Sequence, residues 1–160
     1  VNAGTHILFV CLGNICRSPC ARFIFEQMIA KAGLAGKISA DSCGTAAFNL
    51  GRPVDSRAKA AIVKRGYSPK EHRARQICDE DFQRSDYILV MDRSNLSNIQ
   101  AWAPAGYDGV IALLGEYRQG GGELTDPYYQ GQDAFEAMID GLEETCNGLL
   151  EHLQRERGSK

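Results

Sequence analysis

The chain has 160 residues, 44% hydrophobic and 24% charged, with 18 Lys+Arg against 20 Asp+Glu for a formal charge of -2. This fits one globular domain of ~100–200 residues, spanning 1–160, and excludes disordered, fibrous and collagen-like chains. The near-neutral balance gives no global attraction to nucleic acid or an anionic membrane.

Residues 6–11 (HILFVC) are an apolar run rich in β-formers and predict a strand. Ser18 with Pro19 reads as a helix start, a capping hydroxyl followed by proline at the first helical position. Ala21, Ile24, Phe25, Met28, Ile29 and Ala32 then recur at helical spacing, and Gly33 stands where a glycine cap would. Residues 38–42 alternate as a short strand, and Asp55 caps a helix carrying Ala58, Ala61, Ile62 and Arg65 that stops at Gly66. A short helix is expected from Asp79, a strand buried on both faces at 87–91, a helix at 94–103 and a fourth strand at 110–114. A long loop containing Gly120, Gly121 and Gly122 leads to a last helix with one apolar stripe from Phe135 through Leu142 and Leu149 to Leu153.

Strands alternating with helices imply a single-domain α/β three-layer sandwich, a four-stranded parallel sheet with helices on both faces. Ligands in such sheets bind beyond the carboxyl ends of the strands, which directs attention to Cys11 and the loop after it. The apolar runs fall far short of the ~20 residues that span a bilayer, and the first residues, VNAGT, lack a signal peptide's basic stretch and apolar core. A cytoplasmic protein without a membrane partner is expected, its six cysteines mostly thiols.

The chemistry concentrates in Cys11-Leu12-Gly13-Asn14-Ile15-Cys16-Arg17-Ser18. Five residues between Cys11 and Arg17 can wrap a tetrahedral anion with successive backbone N–H groups turned inward. Gly13 and Asn14 tolerate the positive φ that a tight loop needs, the following helix presents its positive end, and the Arg17 fork grips two oxygens. Such a field favours a thiolate, and so a nucleophile able to form a phosphocysteine without a metal. Leu12, Ile15 and Phe48 are apolar candidates for the floor and one side of a slot deep enough for a phenyl ring.

With FVCLGNICRSP at the start, Asp41-Ser42, HRARQ at 72–76, YILVMDRSN at 87–95 and DPYY at 126–129, the chain resembles the low-molecular-weight protein tyrosine phosphatases over almost its whole length. The resemblance implies strand order 2-1-3-4, Cys11 as nucleophile, Arg17 as phosphate clamp and Asp126 as general acid. It implies phosphate held by the loop from Leu12 through Gly13, Asn14, Ile15, Cys16 and Arg17 to Ser18, whose hydroxyl receives the departing cysteine. Asn14, Ser42 and His72 would brace the loop, Asp92 would support it from the third strand, and Tyr128 and Tyr129 would join Leu12 and Phe48 as substrate wall. Cys16 would form a reversible disulfide with Cys11. Cys20, Cys43, Cys78 and Cys146 are read as structural thiols. Chemistry independently calls for a carboxyl such as Asp126, since a phenolate departs faster when protonated and the same group can then activate water.

The implied partners are tyrosine-phosphorylated proteins, with phosphate and other oxyanions as ligands and no cofactor. The paired C-x-x-C spacing of a zinc site is missing, and Gly33-Leu34-Ala35-Gly36-Lys37 lacks the spacing and hydroxyl of a nucleotide P-loop. A thioredoxin-coupled arsenate reductase shares this fold and loop, but no compact pair of resolving cysteines follows Cys78. A phosphate- or phosphoprotein-binding module without turnover is the non-enzymatic alternative. Ile15 favours phosphotyrosine over phosphoarginine, because the related arginine phosphatases usually carry Thr there.

Overall fold

The HILFVC run forms β1 (Thr5–Cys11), buried from His6 onward, in a computed structural model that describes residues 4–158. It lies inside a sheet completed by β2 (Ile38–Gly44), β3 (Tyr87–Val90) and β4 (Val110–Leu113), all parallel, in the order β2-β1-β3-β4. The register sets Phe9 between Ser42 and Leu89 and brings Cys11 level with Gly44.

Because side chains alternate along a strand, β1 feeds two cores. Ile7, Phe9 and Cys11 pack with α1 (Arg17–Lys31), α2 (Ser56–Lys64) and α5 (Gln132–Gly158), where Phe9 meets Phe25 edge-on at 5.6 Å. Leu8 and Val10 face the other way, onto Phe82 of α3 (Asp79–Arg84) and Ile99 of α4 (Arg93–Trp102). Each fully buried Leu, Ile or Phe contributes about 1.5–3 kcal/mol relative to exposure, so the apolar run that defines β1 also holds the three layers together.

Helix ends follow local chemistry. Asp55 caps α2 by accepting from the Arg57 N–H, and α1 and α2 each finish in a glycine, Gly33 and Gly66, at positive φ. In both, the last two amides turn back onto the helix, Leu34 N to Ile29 O and Tyr67 N to Ile62 O, which closes the free carbonyls.

The structure corrects several expectations. Ser18 is not the cap of α1: the helix starts at Arg17 after Cys16, and the Ser18 hydroxyl is used inside the preceding loop. Pro19 still falls in the first turn, where its missing N–H costs nothing. β2 runs two residues further than expected, and α4 starts one residue earlier, behind Asp92. A 3-10 turn (Leu114–Tyr117) breaks the long loop. Cys78, read as a structural thiol, is exposed and precedes α3, with its N–H bonded to Asp81. No helix among the described residues is long and apolar enough to cross a membrane.

Candidate active site

The chain leaves β1 for α1 through residues 12–16, and the carbonyls of this turn are tied outward. Cys11 O accepts from Thr45 N, Leu12 O from Ala46 N, Gly13 O from Asn49 Nδ2, Asn14 O from His72 Nε2 and Ile15 O from Asp55 N. The amides of residues 13–16 make no hydrogen bond to the described residues. With their carbonyls engaged by neighbouring segments, these N–H groups are left as donors, a set that suits a tetrahedral oxyanion.

Asn14 holds the turn. It is fully buried with φ 57, and its Nδ2 donates to Ser18 Oγ at 2.8 Å and Ser42 Oγ at 3.1 Å, while Oδ1 accepts from Arg75 N at 3.0 Å. A carbonyl can only accept, so the 2.7 Å contact to Asn14 O makes Nε2 the protonated nitrogen of His72. Burial lowers the His72 pKa, only partly opposed by that bond, so the ring stays neutral. Gly13 does not adopt positive φ as expected. It is needed for room, because a Cβ there would run into Asn49 Nδ2.

Cys11 lies at the bottom, 2% exposed, with its Sγ 3.0 Å from Ser18 Oγ. The Ser18 hydroxyl accepts from Asn14 and has one proton to give, to Cys43 O at 3.3 Å or to the sulfur; a negative sulfur is the stronger acceptor. Burial, then Asp55 and Cys11, push the Cys16 thiol well up, so Cys16 rests as a neutral thiol.

Arg17, also 2% exposed, joins two walls. Its Nη1 donates to Asp92 Oδ2 at 2.8 Å and to Leu124 O at 3.0 Å, and its Nη2 lies 3.5 Å from Asp126 Oδ2. Burial alone would lower its pKa, but Cys11, Asp92 and Asp126 outweigh that and raise it, so the guanidinium is permanently charged. Asp92 is fixed in turn, because its other oxygen caps α4 through Asn95 N at 2.9 Å.

A cavity of about 310 Å3 gathers Cys11, Leu12, Gly13, Ile15, Cys16, Arg17, Phe48, Asp126, Tyr128 and Tyr129. Asn14, Ser18, Ser42, His72 and Asp92 stand behind or beside its floor through the hydrogen bonds just described. Tyr128 and Tyr129 meet edge-on at 4.9 Å, and Asp126 Oδ1 accepts from Tyr128 N. Tyr129 and Phe48 are 94% and 68% exposed, which makes them rim rather than inner wall.

Sequence reasoning missed four contributors. Asn49 and Arg52 line the mouth, linked by a 3.0 Å hydrogen bond. Arg75 ties the loop to Asp41 and Asp81, and hydrogen bonding to Asp81 raises its pKa despite partial burial. Arg57, gripped twice by Asp55, lies 5.2 Å over the Tyr128 ring and 4.6 Å over Phe135. The only local signal for it was the Asp55 cap. Among the described residues, no group of three or more His, Cys, Asp or Glu side chains is arranged to hold a metal ion.

The family model for low molecular weight phosphotyrosine protein phosphatases matches residues 6–159. A Synechocystis protein assigned by name to the low molecular weight protein-tyrosine-phosphatases is 46% identical over 153 residues, covering 94% of this chain and 97% of its own. The crystal structure of a protein tyrosine phosphatase from Entamoeba histolytica superposes with a TM-score of 0.91 at 34% identity, covering 96% of this chain and 99% of that one. That of a Drosophila arginine phosphatase gives 0.85 at 33% identity, covering 92% and 96%. With a match that runs nearly end to end, this chain belongs to the low molecular weight phosphotyrosine protein phosphatase family.

Proposed function

We propose that this chain hydrolyses phosphotyrosine in proteins through a phosphocysteine. The observation that carries this reading is the meeting of Asp126 with Cys11 and Arg17 of the 11–18 loop, more than a hundred residues away in the chain, around one cavity. In the first step the Cys11 thiolate attacks phosphorus, the bond to the tyrosine oxygen breaks, and protonated Asp126 supplies that oxygen with its proton. Loop amides and Arg17 stabilise the equatorial oxygens. In the second step Asp126 takes a proton from water, the water oxygen attacks phosphorus, and Cys11 leaves as a thiolate that accepts from Ser18 3.0 Å away. Each role falls to a group of this chain, so no cofactor enters the reading.

Substrate class follows from depth. Cys11 is almost fully covered while Leu12, Phe48 and Tyr129 on the same cavity are exposed, an arrangement that favours the longer aryl stem of phosphotyrosine over the short stem of phosphoserine. Ile15 in the cavity lining offers bulk and no hydroxyl to a phosphoguanidino group. An arsenate-reductase relay is disfavoured, since Cys146 is buried in the α5 core while Cys78 lies at α3 on the opposite face of the sheet. A thiol nucleophile needs a reducing compartment, which supports the cytoplasm.

The test is phosphate release from matched phosphotyrosine, phosphoserine and phosphoarginine peptides with chelator present. Wild type should act on phosphotyrosine alone and Cys11→Ser on none while remaining folded. Phosphate release by Cys11→Ser, or none by a folded wild type, would overturn the reading. Cys16 fits a protective role: peroxide converts Cys11 to a sulfenic acid, which condenses with the Cys16 thiol to a disulfide and water. Inactivation should be reversible by thiol in the wild type and irreversible in Cys16→Ser. Equal recovery in both would remove that role.

A further inference from the structure

The 124–130 segment is a partition between two cavities. Asp126, Tyr128 and Tyr129 face the pocket of Cys11, whereas Leu124, Thr125, Pro127 and Gln130 line a second cavity of about 330 Å3 closed on its far side by α5. No residue lines both.

The second cavity has one charged donor to offer. Arg118 gives Nε to Gly121 O at 3.2 Å and Nη2 to Glu123 O at 2.9 Å, while Nη1 has neither a hydrogen bond nor a carboxylate partner among the described residues. Glu123, also on the lining, is engaged elsewhere, accepting from Arg93 N at 2.7 Å with Arg93 Nη1 at 3.8 Å. Below Arg118 lies Gly141, inside α5, where glycine is the poorer helix former. At Gly148 the reason for glycine is a clash, because a Cβ would run into Tyr117 O; at Gly141 a Cβ would touch Arg118 Nη1 and Leu124 Cδ2 only at 3.4 Å. Gly141 thus keeps open the space under the free guanidinium nitrogen, with Met138, Leu124 and Pro127 as apolar surroundings.

We propose that this cavity is a second ligand site for a small organic monocarboxylate with an apolar body, coupled to anion binding in the first. The carboxylate pairs with Arg118 and the body lies against Leu124, Pro127 and Met138. Coupling runs through Leu124: its side chain faces the cavity, its N–H bonds Met91 O at 2.8 Å, and its carbonyl holds Arg17 at 3.0 Å. An occupant wedged beneath Leu124 disturbs the hold on Arg17, and so weakens anion binding by a finite factor.

The probe is 4-phenylbutyrate, titrated by calorimetry against the full chain with and without saturating inorganic phosphate, a readout that needs no turnover. The probe should bind one to one in both cases, with its dissociation constant raised two- to tenfold by phosphate and then levelling off. Arg118→Gln should weaken it at least tenfold. Ala137→Phe, which fills the cavity from the surface of α5 and leaves Arg118's backbone bonds alone, should do the same, with phosphate binding retained as the control for folding. The proposal is overturned if the wild type does not bind the probe, if phosphate displaces it without limit, if the two ligands bind with no mutual effect, or if neither variant weakens it.

Discussion

Two walls face each other across the Cys11 pocket, and they are held by different means. The loop of residues 11–18 is fixed by Asn14, Ser42 and His72, all buried, with hydrogen bonds of 2.7–3.1 Å to neighbours that are themselves pinned. The 124–130 wall carries a half-exposed Asp126 and a nearly fully exposed Tyr129, and leans on two cations, Arg17 from the front and Arg57 from the side. In the proposed reaction, charge stabilisation at phosphorus would tolerate little displacement, which suits donors built into the core. Proton delivery and substrate entry would require access, which suits groups on a surface segment held by adjustable contacts.

Removing the carboxyl from the adjustable wall should have the largest effect. Asp126→Ala should slow phenyl phosphate hydrolysis about 10^2–10^3-fold and p-nitrophenyl phosphate much less, because a good leaving group needs little protonation. Equal losses on both esters would assign Asp126 to holding Arg17 rather than to proton transfer. On the fixed wall, Asn14→Ala strips Ser18, Ser42 and the Arg75 amide of a partner and puts alanine at φ 57. Denaturant unfolding should show a loss of about 3 kcal/mol, with kcat falling in parallel. Asn14→Gly, which relieves only the backbone, should recover a minor part; full recovery would mean that the side-chain bonds matter little.

Arg57→Gln tests whether the second wall is positioned or merely present. KM for an aryl phosphate should rise a few-fold with kcat nearly unchanged, and unchanged KM would remove Arg57 from the account. The smallest effect should come from pH. Burial lowers the pKa of His72 below 6.5, so between the two values the unfolded chain binds the extra proton. His72 neutrality therefore contributes stability that is full above pH 6.5 and is lost as pH falls through the folded value. His6, also lowered by burial, acts in the same direction. Denaturant midpoints from pH 8 to 5 should fall less steeply in His72→Gln than in the wild type.

The sheet order, the alternation of elements and the pairing of Cys11 with Arg17 were legible because each rests on local pattern or on a resemblance carried by short motifs. The same locality explains the errors. Ser-Pro before an apolar stripe signals a cap, yet Ser18 is drawn into the loop by Asn14 and Cys11, contacts that depend on the chain folding back. A glycine marks either unusual φ or close approach, and at Gly13 only Asn49, 36 residues away, shows that it is the latter. Arg57 over Tyr128 and Arg17 on the Leu124 carbonyl join segments about 70 and 107 residues apart, one through a ring face and the other through backbone. Neither leaves a spacing to read.

Tying the loop carbonyls outward also has a thermodynamic consequence. The carbonyl anchors fix the peptide planes of the loop, so its amides keep their donor orientation without a ligand to organise them. A tetrahedral oxyanion bound there would bind the folded state only, so inorganic phosphate should act as a folding ligand. At a hundred times its dissociation constant it should add about 2.7 kcal/mol to the unfolding free energy, and the melting temperature should therefore depend on the choice of buffer anion.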